Sequence, residues 1–224
     1  PSRLQWKEKG IFLTQQTQFP DQEAITIHID KTARFNLNLR YPLWALDKTA
    51  KVSINGEQVT VMATPGHYIS LERRWKKGDK IELTVPMQTK LEQMPGGENY
   101  YAVLHGPIVL AAKTRPFANE QLNYFADDSR MGHIAQGAMC PLEAAPFLLG
   151  NSNDFIKKLK PVAGKPLTFD ASGLINGNDV THRELIPFFR LHESRYTIYW
   201  PYTTAADGEK ARAKHVARGK LLPR

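Results

Sequence analysis

From Phe35 to Met87 the chain is built of short alternating phrases separated by turn residues, and this pattern restricts the fold more than any other feature. Leu37 and Leu39 lead into a Tyr41-Pro42-Leu43-Trp44 corner. Val52-Ser53-Ile54 and Val59 flank Asn55-Gly56, a dipeptide that accepts positive φ at both central turn positions, so a hairpin is predicted there. His67-Tyr68-Ile69-Ser70-Leu71 follows, then Trp75-Lys76-Lys77-Gly78-Asp79 with a turn at Gly78-Asp79, then Ile81-Glu82-Leu83-Thr84-Val85-Pro86-Met87. Period two through so many short segments is not a helical stripe; it turns one face of each segment to a core and the other to water. The expected fold class is all-β, an antiparallel β-sandwich followed by a smaller β-containing part.

The flanking sequence extends this reading. Ile11-Phe12-Leu13 predicts an opening strand, and Ile25, Ile27 and Ile29 predict another. Residues 88–99 read as a turn-rich linker around Pro95-Gly96-Gly97. Residues 100–112 are continuously apolar but for Gly106-Pro107, as strands buried on both faces are. No period holds over 114–164, where Pro, Gly, Asn and Asp are frequent, and Cys140 lies there. Order returns at Leu167-Thr168-Phe169-Asp170-Ala171, followed by a turn at Asn176-Gly177-Asn178-Asp179. Residues 185–191 and 196–200 predict a second, aromatic hairpin with Phe189, Leu191, Ile198 and Trp200 on its inner face. The expected division is a sandwich domain over 1–118, a smaller β-containing domain or an extension of the sandwich over 119–206, and a basic tail over 207–224.

Charge and composition exclude several function classes. The formal net charge is +8, and half of that excess sits in 207–224, where six basic residues face two acidic ones. That tail has no aromatic side chain to stack a base, and the body carries no nucleic-acid motif, so no nucleic-acid partner is expected. No apolar run approaches the ~20 residues that span a bilayer, so no membrane partner is expected either. The start, Pro-Ser-Arg-Leu-Gln-Trp, has no apolar signal region and reads as the start of a processed or excised piece. Cys140 is the one cysteine, which rules out an internal disulfide and a multi-cysteine metal cluster; it reads as a buried structural thiol.

Motifs for chemistry are sparse. The seven histidines lie far apart without HxH or HExxH spacing, and there is no nucleophile elbow, phosphate loop or dinucleotide fingerprint. No cofactor and no metal site are expected. Two polar clusters stand out as ligand or interface candidates: Asp127, Asp128, Arg130 and His133 within the irregular region, and His192 with Arg195 at the tip of the aromatic hairpin. Asx turns with an Asp–Arg pair, and a plain polar turn, are the competing structural readings. The four tryptophans, Trp6, Trp44, Trp75 and Trp200, offer sugar-stacking faces if exposed, but their positions favour a core role.

Several phrases together carry a family resemblance. Leu39-Arg40-Tyr41-Pro42-Leu43-Trp44-Ala45, Ser53-Ile54-Asn55-Gly56, Trp75-Lys76-Lys77-Gly78-Asp79 and Leu83-Thr84-Val85-Pro86-Met87 resemble the region after the catalytic barrel in glycoside hydrolase family 127, the β-L-arabinofuranosidase-type proteins also called domain of unknown function 1680. His105-Gly106-Pro107-Ile108-Val109-Leu110 looks like that family's Gly-Pro-Leu-Val phrase. Leu185-Ile186-Pro187-Phe188-Phe189-Arg190-Leu191-His192, Arg195-Tyr196 and Tyr199-Trp200-Pro201 look like the segment that closes this region in Bacteroides-type members. In that family an (α/α)6 barrel holds a catalytic glutamate and a zinc-bound cysteine nucleophile, and no residue of this chain matches them. The resemblance implies a non-catalytic accessory module of a carbohydrate-active hydrolase, partnered by a catalytic barrel and in some settings by carbohydrate, in a bacterial periplasm or outside the cell. Two other classes compete: an autonomous carbohydrate-binding module, which needs aligned exposed rings, and a small enzyme built on the cluster from Asp127 to His133.

Overall fold

The alternating phrases do become strands. The computed structural model describes residues 1–96, 99–114, 146–150, 152–176, 183–191, 195–203, 207–210, 213–214 and 217, in two units, Pro1–Gln88 and Thr89–Arg224. The first unit holds β1 (Ser2–Trp6), β2 (Ile11–Thr17), β3 (Ala24–Ile29), β4 (Ala33–Arg40), β5 (Lys51–Ile54), β6 (Glu57–Val59), β7 (Tyr68–Trp75) and β8 (Lys80–Thr84). Six of these form one sheet in the order β1-β2-β3-β8-β5-β6, with every pairing antiparallel. β4 and β7 make a separate two-stranded ribbon, paired along its whole length from Ala33↔Trp75 to Arg40↔Tyr68. The turn between β5 and β6 is the Asn55-Gly56 hairpin, with φ of 53° and 87° at the two residues.

The core of this unit lies between sheet and ribbon. Ile27, Ile29, Val52, Ile54, Ile81 and Leu83 come from the sheet, and Leu39, Ile69, Leu71 and Trp75 from the ribbon, all buried. Each such side chain contributes roughly 1.5–3 kcal/mol of burial, so the alternation read from sequence is the pattern that builds the sandwich. Asp79 fixes the turn between β7 and β8. It is buried and accepts hydrogen bonds from the Lys76 N–H (2.8 Å) and Asn55 Nδ2 (3.0 Å). These bonds, the backbone one foremost, hold its carboxyl below the usual aspartate range.

In the second unit lie β9 (Thr89–Gln93), β10 (Tyr100–His105), β11 (Ile108–Thr114), β12 (Phe147–Leu149), α1 (Ser152–Lys158), β13 (Lys160–Pro161), β14 (Phe169–Asp170), β15 (Ile175–Asn176), β16 (Glu184–Pro187), β17 (Arg195–Thr197) and β18 (Trp200–Thr203). The sheet order is β13-β14-β16-β11-β10-β18-β12-β15, with β17 also on β11 and β9 also on β10. The β12–β18 pair is parallel. Val103, Leu110, Ala112, Leu148, Phe155, Leu185 and Trp200 form its core, with Phe155 brought in by α1.

The structure departs from the sequence reading at several points. Contacts divide the chain after Gln88, and the β10–β11 hairpin pairs with β16, β17 and β18 within the second unit. The linker predicted over 88–99 contains β9, which pairs with β10 at five positions. β1 was not predicted: all five of its residues are exposed, so it has no buried face to create an alternating pattern. The aromatic hairpin of 185–191 with 196–200 does not form. β16 stops at Pro187, which lacks an N–H to continue a ladder, and Phe188–Arg190 turns into a 3-10 helix. β16 and β17 instead each pair with β11, and Phe189 is 50% exposed rather than inward. Trp200 is buried as expected.

Candidate functional site

The first unit carries two distinct surface features. One end of the sandwich is organised by Tyr41, which is fully buried. Its hydroxyl donates to the Leu46 carbonyl and accepts from the N–H groups of Thr49 (3.1 Å) and Ala50 (3.2 Å). Its backbone bonds to His67 and Gly66, tying the loop after β4 to the segment before β7. So fixed, that loop presents Leu43 at 78% exposure and Leu46 at 49%, with Leu43 packed over Gly66. Trp44 turns inward instead, packing on the core and stacking on Phe19 at 6.3 Å. Tyr41→Phe removes the acceptor of two backbone N–H groups, so it is expected to cost about 1–3 kcal/mol in urea unfolding.

The second feature is basic. A cleft of about 400 Å³ is lined by Thr32, Ala33, Arg34, Arg73 and Arg74, where β4 begins and β7 ends. Arg34 and Arg74 are Cα partners in the ribbon ladder. Arg73 lies over the Trp75 ring at 5.3 Å, and Arg34 reaches Glu72 at 3.6 Å. The Lys77 N–H donates to Thr32 Oγ1 at 3.0 Å, closing the chain around the cleft.

The residues singled out from sequence do not build either feature. Asp127, Asp128, Arg130, His133, His192 and Cys140 lie outside the described residues. Arg195 opens β17 opposite Thr114, and its side chain lies outside the described part. Among the described residues, no group of three or more His, Cys, Asp or Glu side chains is placed to hold a metal ion. No described helix is long and apolar enough to cross a membrane. Trp75 and Trp200 are buried, while Trp6 is exposed with Lys9 Nζ 4.2 Å over its ring and its Nε1 bonded to Glu8.

The comparisons with known proteins fall on the same two units. Residues 90–202 match the family model of DUF4986, a domain of unknown function, which covers half of the chain. Residues 1–87 match the model described as β-L-arabinofuranosidase, GH127 middle domain. The chain belongs to the DUF4986 family, and ahead of that domain it carries a segment that matches the GH127 middle domain. The two models meet where the contacts divide the molecule.

Solved structures share the fold. A glycoside hydrolase superposes with a TM-score of 0.56 at 19% identity, over 90% of this chain and 34% of its own. A GH127 β-arabinofuranosidase gives 0.55 at 22% identity, over 90% and 33%. The GH127 β-L-arabinofuranosidase Ara127N of Geobacillus stearothermophilus T6 gives 0.54 at 19%, over 90% and 32%. This chain thus spans about a third of the length of those relatives. No curated protein matches it. The Tyr41 end and the arginine cleft both lie within the residues that match the GH127 middle-domain model.

Proposed function

We propose that this chain is a non-catalytic β-sandwich module of a glycoside hydrolase, which packs on and supports an (α/α)6 catalytic barrel supplied by another part of the enzyme. The observation that carries the reading is the match of residues 1–87 to a domain that its family places in the middle of a hydrolase. The Tyr41 end supports it. A hydrogen-bonded loop that holds Leu43 and Leu46 in water suits a contact surface, because rigid, exposed apolar side chains gain most from a partner. A periplasmic or extracellular place, where polymeric glycans are met, belongs to the same proposal.

Being an autonomous carbohydrate-binding module is the second reading. It is favoured by Phe188, Phe189, Tyr196 and Tyr199 of the DUF4986 domain, which are between 38% and 50% exposed. The tryptophans do not favour it, since two are buried and the exposed Trp6 has a lysine over its ring. The experiment for the leading reading is an assay of the purified chain on an aryl β-L-arabinofuranoside. No release of the aryl group above the uncatalysed rate is expected. Turnover that survives repurification and scales with chain concentration would contradict a non-catalytic module.

A further inference from the structure

The outer face of the β4–β7 ribbon carries an ordered series of polar cross-strand pairs. By alternation, the side chains opposite the core are Arg40 and Tyr68, Asn38 and Ser70, Asn36 and Glu72, and Arg34 and Arg74. Tyr68 is 56% exposed, and Ser70 Oγ donates to Asn38 Oδ1 at 2.7 Å. From Arg40 to Arg34 the ribbon extends about 20 Å at the usual strand rise. From one end to the other the face offers an aromatic ring beside Arg40, an amide–hydroxyl pair, an amide beside the Glu72 carboxylate, and then the guanidinium groups of Arg34 and Arg74; it holds a face to stack on, hydrogen bonds for hydroxyls, and cations for a carboxylate.

We infer that this face binds an acidic oligosaccharide, with a uronate carboxylate seated in the arginine cleft. Arg34 and Arg74 stand directly opposite each other, an arrangement that costs stability unless an anion lies between them. Their only carboxylate contact within 4 Å among the described residues is Arg34 to Glu72, and both of those side chains are exposed, so the pair is weak and easily exchanged. Arg73 stands opposite Phe35 at a position that the alternation assigns to the inner face, yet it is exposed, with its guanidinium over the Trp75 ring. The other nearby carboxylates are engaged: Asp79 by the Lys76 N–H and Asn55, and Asp30 by the Thr14 hydroxyl and Arg3. Planar guanidinium groups bind carboxylates in pairs of parallel hydrogen bonds, and a cleft of about 400 Å³ is within the range of small-ligand sites. The Tyr68 end of the face adjoins the Leu43 end of the domain, since Leu43 packs on Gly66. The choice of sugar as the ligand rests on the hydrolase-module reading; the preference for an acidic one rests on the arginines.

Calorimetric titration of the full chain with tri-galacturonic acid, its fully methyl-esterified form and inorganic sulfate tests this. The acid trimer is expected to bind, and methyl esterification, Arg34→Gln with Arg74→Gln, or a rise from about 0.05 to about 0.5 M NaCl should each weaken it about tenfold or more. Tyr68→Ala should weaken the trimer and leave sulfate unchanged. The arginine double variant relieves a like-charge pair, so its melting temperature should be no lower than the parent's. Absence of binding, equal affinity for the ester, or unchanged affinity in the double variant would overturn the proposal. Sulfate binding as tight as the trimer would reduce the cleft to a charge-only patch and overturn the sugar assignment. Docking to a barrel is read without any glycan, so failure here and failure of the module reading are separate results.

Discussion

Trp75→Ala should destabilise the GH127 middle domain by about 3–5 kcal/mol, the usual range for emptying a buried aromatic site. Trp75 has no exposed surface, packs against Phe35 with ring centroids 5.9 Å apart, and donates from Nε1 to the Phe35 carbonyl at 3.1 Å. Alanine would leave a cavity at the end of the sandwich core and remove a hydrogen bond across the β4–β7 ladder. It would also take away the ring beneath Arg73, so the cleft should lose its geometry along with the core. Urea unfolding followed by circular dichroism checks the cost. A variant that unfolds with the parent's midpoint would place this ring outside the core.

Trp200→Ala should have a comparable effect in the DUF4986 domain, again about 3–5 kcal/mol, for a partly different reason. Trp200 is fully buried among Val103, Leu110, Leu148 and Leu185, but its Nε1 has no hydrogen-bond partner among the described residues. The loss is then of volume and contacts alone, so Trp200→Phe, which keeps most of the ring, should cost far less than alanine. Thermal melts of the two variants compare them directly. An alanine variant that melts like the parent would put Trp200 on the surface and revive sugar stacking there.

What could be read from the sequence was whatever leaves a local pattern. The Asn55-Gly56 hairpin is a two-residue signal with its own backbone requirement, and it stands where expected. The strands of the sandwich alternate because one face of each is buried. Strands without that asymmetry were illegible: β1 is exposed at every residue, and β9 carries a single half-buried leucine, Leu91, in a polar run. The failed hairpin shows the converse. Its two halves have strand composition, yet composition does not choose partners, and Pro187 with the 3-10 turn after it sends both halves to β11.

The arginine cleft was invisible for a related reason. Net charge over the body is modest, and Arg34 is far from Arg74 in sequence; only the ribbon register brings the two together. The signal that was present lies in Glu72-Arg73-Arg74-Trp75-Lys76-Lys77, where an exposed Arg73 interrupts the buried alternating series of Ile69, Leu71 and Trp75. A charge that interrupts an alternating apolar series is a local signal of such a site.

The proposed docking on a catalytic barrel through the Tyr41 end can be measured in solution. The chain is co-expressed with a GH127 catalytic barrel of its own organism and the mixture is passed over a size-exclusion column coupled to light scattering. A one-to-one complex is expected, weakened about tenfold or more by Leu43→Asp with Leu46→Asp. Both positions are exposed at the Tyr41 end, so the paired change should leave the fold intact. A chain that elutes alone beside a folded barrel, or a complex indifferent to the two aspartates, would contradict it.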